Sequence, residues 1–269
     1  MKTQISIIGC GWLGLPLAKK LVEDGFYING STTSKDKLGS LKVLRINPFL
    51  IGLTESEILG DAHTFLAESD TVIINIPPGL RKDPTKNHVA EIRNLITVIE
   101  QQSVNHVLYI SSTSVFEDSV NFPIIKAETQ PNGSSNSAKQ LIEIEHMLQN
   151  NKHFKTTILR FGGLIDDNRH PGKFLSGRAH VSNPDAPINL IHQTDSIHII
   201  LAILKQNVWK VEFNAAYPKH PTKKDYYNSY CQSKNLPLPA YNSSDKSKGK
   251  IIDSTKVVQL LNYSFQVVP

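Results

Sequence analysis

Cysteine is nearly absent from this chain. Of 269 residues only Cys10 and Cys231 carry a thiol. Two cysteines cannot build a disulfide framework, so the small stapled folds of secreted domains are excluded. Long apolar runs are lacking as well. No stretch approaches the ~20 apolar residues that a bilayer demands, so no membrane partner is expected. In place of the apolar core of a signal peptide stand glycines and a strand pattern, and cytoplasmic residence is the default expectation. Arginine-rich tracts interleaved with aromatics are also missing, which argues against nucleic acid. The formal charge of +5 is spread along the chain apart from Lys246, Lys248 and Lys250. It would steer anionic small molecules. The ten histidines show no clustering with cysteine. His192, Asp195 and His198 fall at helical spacing, but a metal centre is not expected from them.

What the chain does have is alternation. Ile5–Ile8, Phe26–Ser31, Lys42–Ile46, Thr71–Ile76, His106–Ser111 and Thr156–Phe161 read as strands, mostly continuous in Ile, Val and Leu. Such runs suit parallel strands buried on both faces. Leu13–Asp24, Pro84–Gln102 and Ser137–Asn150 show helical periodicity, with Lys35–Leu41 and Glu55–Glu68 as shorter helices. This order predicts an α/β fold, a Rossmann-type doubly wound parallel sheet. After Phe161 the pattern loosens into a small, irregular C-terminal lobe on the substrate side. Helices are expected at Thr194–Gln206, capped by Thr194, and at Thr222–Lys234, capped by Thr222. A short strand is expected at Lys210–Asn214, and a last strand and helix at Lys250–Asp253 and Ser254–Leu261. The expected division is 1–165 for the dinucleotide-binding core and 166–269 for the lobe, with about 188–215 returning to the core.

Gly9-Cys10-Gly11-Trp12-Leu13-Gly14 follows the first strand and opens the first helix. In that context G-x-G-x-x-G is a dinucleotide signature. Gly9 would allow the turn, Gly11 the approach of a pyrophosphate, and Gly14 close helix packing. The helix start would hold the phosphates. The competing reading is a glycine-rich packing turn, with Cys10 as a small residue inside it. NAD binders place a carboxylate about 20 residues on, at the end of the second strand. Here that place reads Thr32-Thr33-Ser34-Lys35, which offers donors and positive charge. NADP is therefore expected over NAD, and NAD stays as the alternative. The hydroxyls have a rival use as helix caps. Ile76-Pro77-Pro78, stiffened by proline, would lie along the adenine ribose.

Three further segments carry a family resemblance. They are Tyr109-Ile110-Ser111-Ser112-Thr113-Ser114-Val115-Phe116, Leu159-Arg160-Phe161-Gly162-Gly163-Leu164 and Asn189-Leu190-Ile191-His192-Gln193-Thr194-Asp195. Together they resemble the short-chain dehydrogenase/reductase superfamily in its extended and atypical branches, the group of NAD-dependent epimerase/dehydratase-like proteins. The resemblance implies a serine that holds the substrate oxygen, a lysine that binds the nicotinamide ribose, and a tyrosine that exchanges the proton. By this match Ser112 takes the serine role and Lys139 the lysine role, with Ser111 beside the cofactor. The tyrosine position is Ser135, and no tyrosine occurs between Tyr109 and Tyr217. A serine hydroxyl is a far weaker acid than a phenol, so the usual proton route is in doubt. The shorter glycine turn points to the atypical branch too.

The reading at this level is an NADP-dependent oxidoreductase or epimerase-like enzyme acting on a small polar, sugar-like substrate. The alternative is a non-catalytic dinucleotide sensor. The replacement proton routes are Ser112, Ser135 and a bound water, or a C-terminal residue such as Tyr226 or His192, and Arg169, His170, Arg178 and His180 stand as contacts for an anionic substrate. Relatives pair through the helices matching Pro84–Gln102 and Ser137–Asn150, which leaves room for a homodimer.

Overall fold

A strand buried on both faces must satisfy its backbone against neighbouring strands. The computed structural model describes residues 3–242, 244 and 246–269. Along the chain run β1 (Gln4–Ile8), β2 (Tyr27–Thr32), β3 (Asn47–Leu50), β4 (Gly52–Leu53), β5 (Ile58–Leu59), β6 (Thr71–Ile74) and β7 (His106–Ser112). There follow β8 (Ile124–Ile125), β9 (Lys155–Phe161), β10 (Gly163–Ile165), β11 (Leu190–His192), β12 (Glu212–Ala215) and β13 (Ile251–Ile252). The helices are α1 (Gly14–Glu23), α2 (Lys37–Val43), α3 (Ala62–Leu66), α4 (His88–Glu100), α5 (Asn136–Gln149), α6 (Pro171–Leu175), α7 (Gln193–Lys205), α8 (Lys223–Ser233) and α9 (Thr255–Leu260).

Seven strands form one parallel sheet in the order β12-β9-β7-β6-β1-β2-β3. The chain winds outwards from β1 to β3, then restarts on the other side at β6. Strand order therefore reverses between β1 and β6, where open α/β sheets bind ligands. This is the Rossmann-like arrangement the sequence predicts. Ile7, Val72, Ile73 and Leu108 are fully buried. Leu17 and Leu21 of α1 are too, and each such leucine contributes about 2 kcal/mol by leaving water.

The chain divides into two compact units. The first comprises Met1–Val115, Ser134–Leu159 and Ile203–Glu212; the second comprises Phe116–Gly133, Arg160–Ala202 and Phe213–Pro269. Within the second, β10 pairs with β11 and β13 with β8, both in parallel. Buried Arg160 donates from Nη1 to the Ala127 carbonyl oxygen at 3.2 Å and lies 5.3 Å over the Phe116 ring. A buried guanidinium needs such partners.

Some elements depart from the sequence expectation. Lys42–Ile46 is not a strand. Its first residues complete α2, and Arg45 turns with φ 60°. The third strand is Asn47–Leu50 at the sheet edge, where a proline costs no ladder bond. Glu55–Glu68 is not one helix, because β5 and the short α3 share it. Thr194 does not cap α7; its own N–H donates to His192 Nδ1 at 3.2 Å, so the imidazole does the capping. Thr222 does cap α8, accepting from Asp225 N at 3.1 Å.

Candidate functional site

At the end of β1 the chain reverses to start α1, and the three glycines do different things there. Gly9 takes φ 98°, and a Cβ on it would stand 2.5 Å from the Asn75 carbonyl oxygen. A Cβ on Gly14 would stand 2.1 Å from the Gly9 carbonyl oxygen, so the helix start lies hard against the turn. A Cβ on Gly11 would meet no atom within 4 Å. Protein fills the space beside the outer glycines and leaves the space beside the middle one open.

Neighbouring strands hold this turn. Gly9 N donates to Ser31 Oγ at 2.9 Å and Cys10 N to the Ser31 carbonyl at 2.8 Å. Asn75 Nδ2 donates to the Gly9 carbonyl at 3.1 Å. The loops after β1, β2 and β6 are thereby tied together at the switch point. No side chain caps α1 and no acidic residue sits in its first turn, so its positive end suits an anion. The Cys10 side chain is packed rather than presented. Burial pushes its thiol up to about 12, against the smaller pull of a hydrogen bond from Ser31.

Beyond β2, Thr32 Oγ1 accepts from Ser34 N at 3.2 Å, while Thr33 and Lys35 are exposed. No side chain caps α2, whose N-cap is Asp36. The hydroxyls of this segment therefore do not serve as caps for that helix. Beyond β6, Ile76-Pro77-Pro78 continues at the sheet's carboxyl edge. Fully buried His88 shares the Glu91 carboxylate with Lys86, at 2.7 and 2.9 Å. Burial pulls the His88 pKa down despite Glu91.

At the end of β7, Ser111 and Ser112 part company. Buried Ser111 Oγ donates to Glu145 Oε1 of α5 at 2.5 Å. Ser112 Oγ accepts from Ser114 N at 3.1 Å in the turn that follows. Helix α5 packs on β7 and on that turn. Ser135 is the N-cap of α5, its Oγ accepting from Ala138 N at 3.2 Å, and Lys139 is exposed in the first turn. The turn Gly9 to Gly14, Thr32 to Lys35, Ile76 to Pro78 and Ser111 with Ser112 thus gather at the carboxyl ends of adjacent strands. The Ser111 side chain itself is committed to Glu145.

Ser31, Asn75 and Glu145 shape the site through hydrogen bonds that the sequence reading did not assign to them, although Asn75 opens the loop Asn75–Gly79 expected along the adenine ribose. Asn75 carried a signal, being the first polar residue after an apolar strand. Glu145 carried another, since it lies on the buried stripe of Leu141, Ile144 and Leu148. In the second unit, His170 meets Tyr226, whereas Arg178 and His180 are exposed. Arg169 donates its N–H to Asp166 Oδ1 at 2.5 Å. Both Asp195 oxygens are engaged, by Tyr263 Oη and Gln266 N on one side and Val267 N on the other. Among the described residues no group of three or more His, Cys, Asp or Glu is placed to hold a metal. Nor is any helix among them long and apolar enough to cross a membrane.

Comparison with known proteins agrees with this geometry. Residues 9–192 match the model of a family described as NAD(P)H-binding. The chain is 30% identical to Protein YeeZ of Escherichia coli strain K12, over 98% of this chain and 96% of that one. Its fold is similar to UDP-glucuronic acid 4-epimerase from Bacillus cereus in complex with NAD, with TM-score 0.80 and 17% identity over 99% of this chain and 92% of that one. It is also similar to a short-chain dehydrogenase/reductase superfamily protein from Agrobacterium tumefaciens with bound NAD, with TM-score 0.79 and 14% identity over 98% and 93% of the two chains.

Proposed function

Since the chain belongs to the NAD(P)H-binding family, we infer that it is an extended or atypical short-chain dehydrogenase/reductase, an NADP-dependent oxidoreductase or epimerase-like enzyme acting on a small polar, sugar-like substrate. The observation that carries the reading is the open space beside Gly11, between two glycines that protein atoms hold in place. Hydride transfer is the chemistry a nicotinamide supplies when bound. Gly11 and the uncapped start of α1 receive the pyrophosphate. Thr33, Ser34 and Lys35 receive the 2′-phosphate, and Ile76 to Pro78 lie along the adenine ribose. Lys139 binds the nicotinamide ribose, and Ser112 holds a substrate oxygen. With a serine in place of a phenol, the proton passes through Ser112, Ser135 and water. The sugar-like class rests on structural neighbours that bind UDP-sugars with NAD.

Titration of the full chain with NADPH and NADH, followed by nicotinamide fluorescence, tests the cofactor choice. Tighter NADPH binding is expected, and equal affinities would overturn it. Lys139→Ala should weaken both cofactors. A second reading, a dinucleotide-binding sensor without turnover, is favoured by one observation: the phenol position is occupied by a helix-capping serine. Isotope exchange at the nicotinamide C4 separates the two readings, because only an enzyme transfers the hydride.

A further inference from the structure

The second unit contains two cavities, of about 700 and about 490 Å³, that share Pro221, Tyr226, Val268 and Pro269 in their walls. The larger is the more polar of the two, with His170, His192 and Asp225 in its wall beside Ile165 and Val267. The smaller is apolar, with Ile188, Leu190 and Tyr217. Two imidazoles face the larger cavity, and each has its tautomer fixed by the backbone. Gly172 N donates to His170 Nδ1 at 3.1 Å, and Thr194 N donates to His192 Nδ1 at 3.2 Å. A ring nitrogen that accepts carries no proton, so in each neutral ring the proton is on Nε2.

The consequences differ for the two rings. His170 stays neutral, because burial, Lys173 and Lys234 together pull its pKa down to about 4. Its Nε2–H donates to Tyr226 Oη at 2.8 Å. The Tyr230 ring, stacked on it at 3.7 Å, holds it there. Tyr226 Oη, already accepting, is left with its own proton to give. Burial pushes that phenol's pKa up, so the proton stays on. His192 Nε2 is buried with no hydrogen-bond partner, and the solvent-facing Asp167 carboxylate stands 4.0 Å away. A buried donor left without an acceptor costs roughly 1–3 kcal/mol, which a ligand oxygen reaching Nε2 would recover.

We propose that this pair of cavities is a ligand site of the second unit. The polar chamber takes a small, uncharged, hydroxyl-rich molecule whose oxygens accept from Tyr226 Oη and His192 Nε2, and an apolar substituent enters the chamber beyond Tyr226. Asp167 and Asp225 oppose an anion and Lys234 opposes a cation. Hydroxyl groups, which both give and accept, suit all of them. The site stands apart from the dinucleotide reading and does not depend on it.

The test uses the full chain with ¹⁵N-labelled histidine, followed by long-range proton–nitrogen spectra. Phenyl β-D-glucopyranoside, methyl β-D-glucopyranoside and acetate serve as probes. Saturable shifts of the His170 and His192 Nε2 signals are expected with both glycosides, with the phenyl compound saturating at a several-fold lower concentration. Tyr226→Phe should abolish them. His192→Asn, which keeps a capping acceptor for α7 but removes the ring donor, should weaken them several-fold with cooperative melting retained. No saturable shift with either glycoside, an unchanged response in Tyr226→Phe, or saturation by acetate would overturn the site. Equal midpoints for the two glycosides would overturn the two-chamber arrangement. NADPH affinity measured in the same samples is expected to be unchanged by both substitutions, so failure of one site is told apart from failure of the other.

Discussion

Replacing Gly14 by alanine would drive a methyl group to 2.1 Å from the Gly9 carbonyl oxygen. The turn must give way, and a loss of about 1–3 kcal/mol is expected in denaturant melts, together with loss of cofactor binding. Gly11→Ala is the informative contrast, since its methyl group meets no atom within 4 Å. The folded protein should keep its stability or gain slightly, while NADPH affinity falls at least tenfold. Were the turn only a packing device, affinity would not change. Lys35→Ala should weaken NADPH about tenfold, or ~1.4 kcal/mol, and leave NADH untouched in the same titration. His170 gives a prediction in pH. Its ordinary value of 6.5 falls to about 4 in the fold. Between those values the unfolded chain binds a proton that the folded chain refuses, so stability declines as pH drops through that window. His170→Asn retains a cap for α6, and its stability should decline less between pH 6.5 and 4 than that of the native chain.

At the scale of elements, the segment after α9 is fastened by one residue of α7. Fully buried Asp195 accepts from Tyr263 Oη, Gln266 N and Val267 N. Asp195→Ala would leave three donors without an acceptor. A cost of about 2–4 kcal/mol is expected, with protease cleavage appearing after Leu261 before the rest of the chain is attacked. How far the elements could be read from sequence follows from the same physics. β1, β6, β7 and β9 were legible because burial on both faces favours runs rich in Ile, Val and Leu. β3 was not, because an edge strand tolerates Pro48 and sheds that signature. The pairs β10 with β11 and β8 with β13 join segments far apart in sequence, which no periodicity records. The glycine turn and the serines that end β7 were legible as motifs. Ser31 and Asn75 were not, because their roles arise only once three strands lie side by side. His192 capping α7 was missed because imidazole is outside the usual set of capping side chains.

At the scale of the molecule, a ligand that binds only the native state must raise its melting temperature. NADPH at 100 times its Kd should add about 2.7 kcal/mol, and an unmoved melting curve would overturn both the enzyme and the sensor reading. The division of the chain has a further consequence for how the protein comes into being. Each compact unit is assembled from three separate stretches, and the first is complete only when Ile203–Glu212 has been made. The glycine turn is made well before Ile203–Glu212, so its unit must wait for that stretch before its final piece arrives. No single cut releases either unit whole. The nascent chain would therefore expose unfinished β-edges until that stretch arrives, and tolerance to insertion or permutation is to be sought in surface turns rather than at a seam between domains.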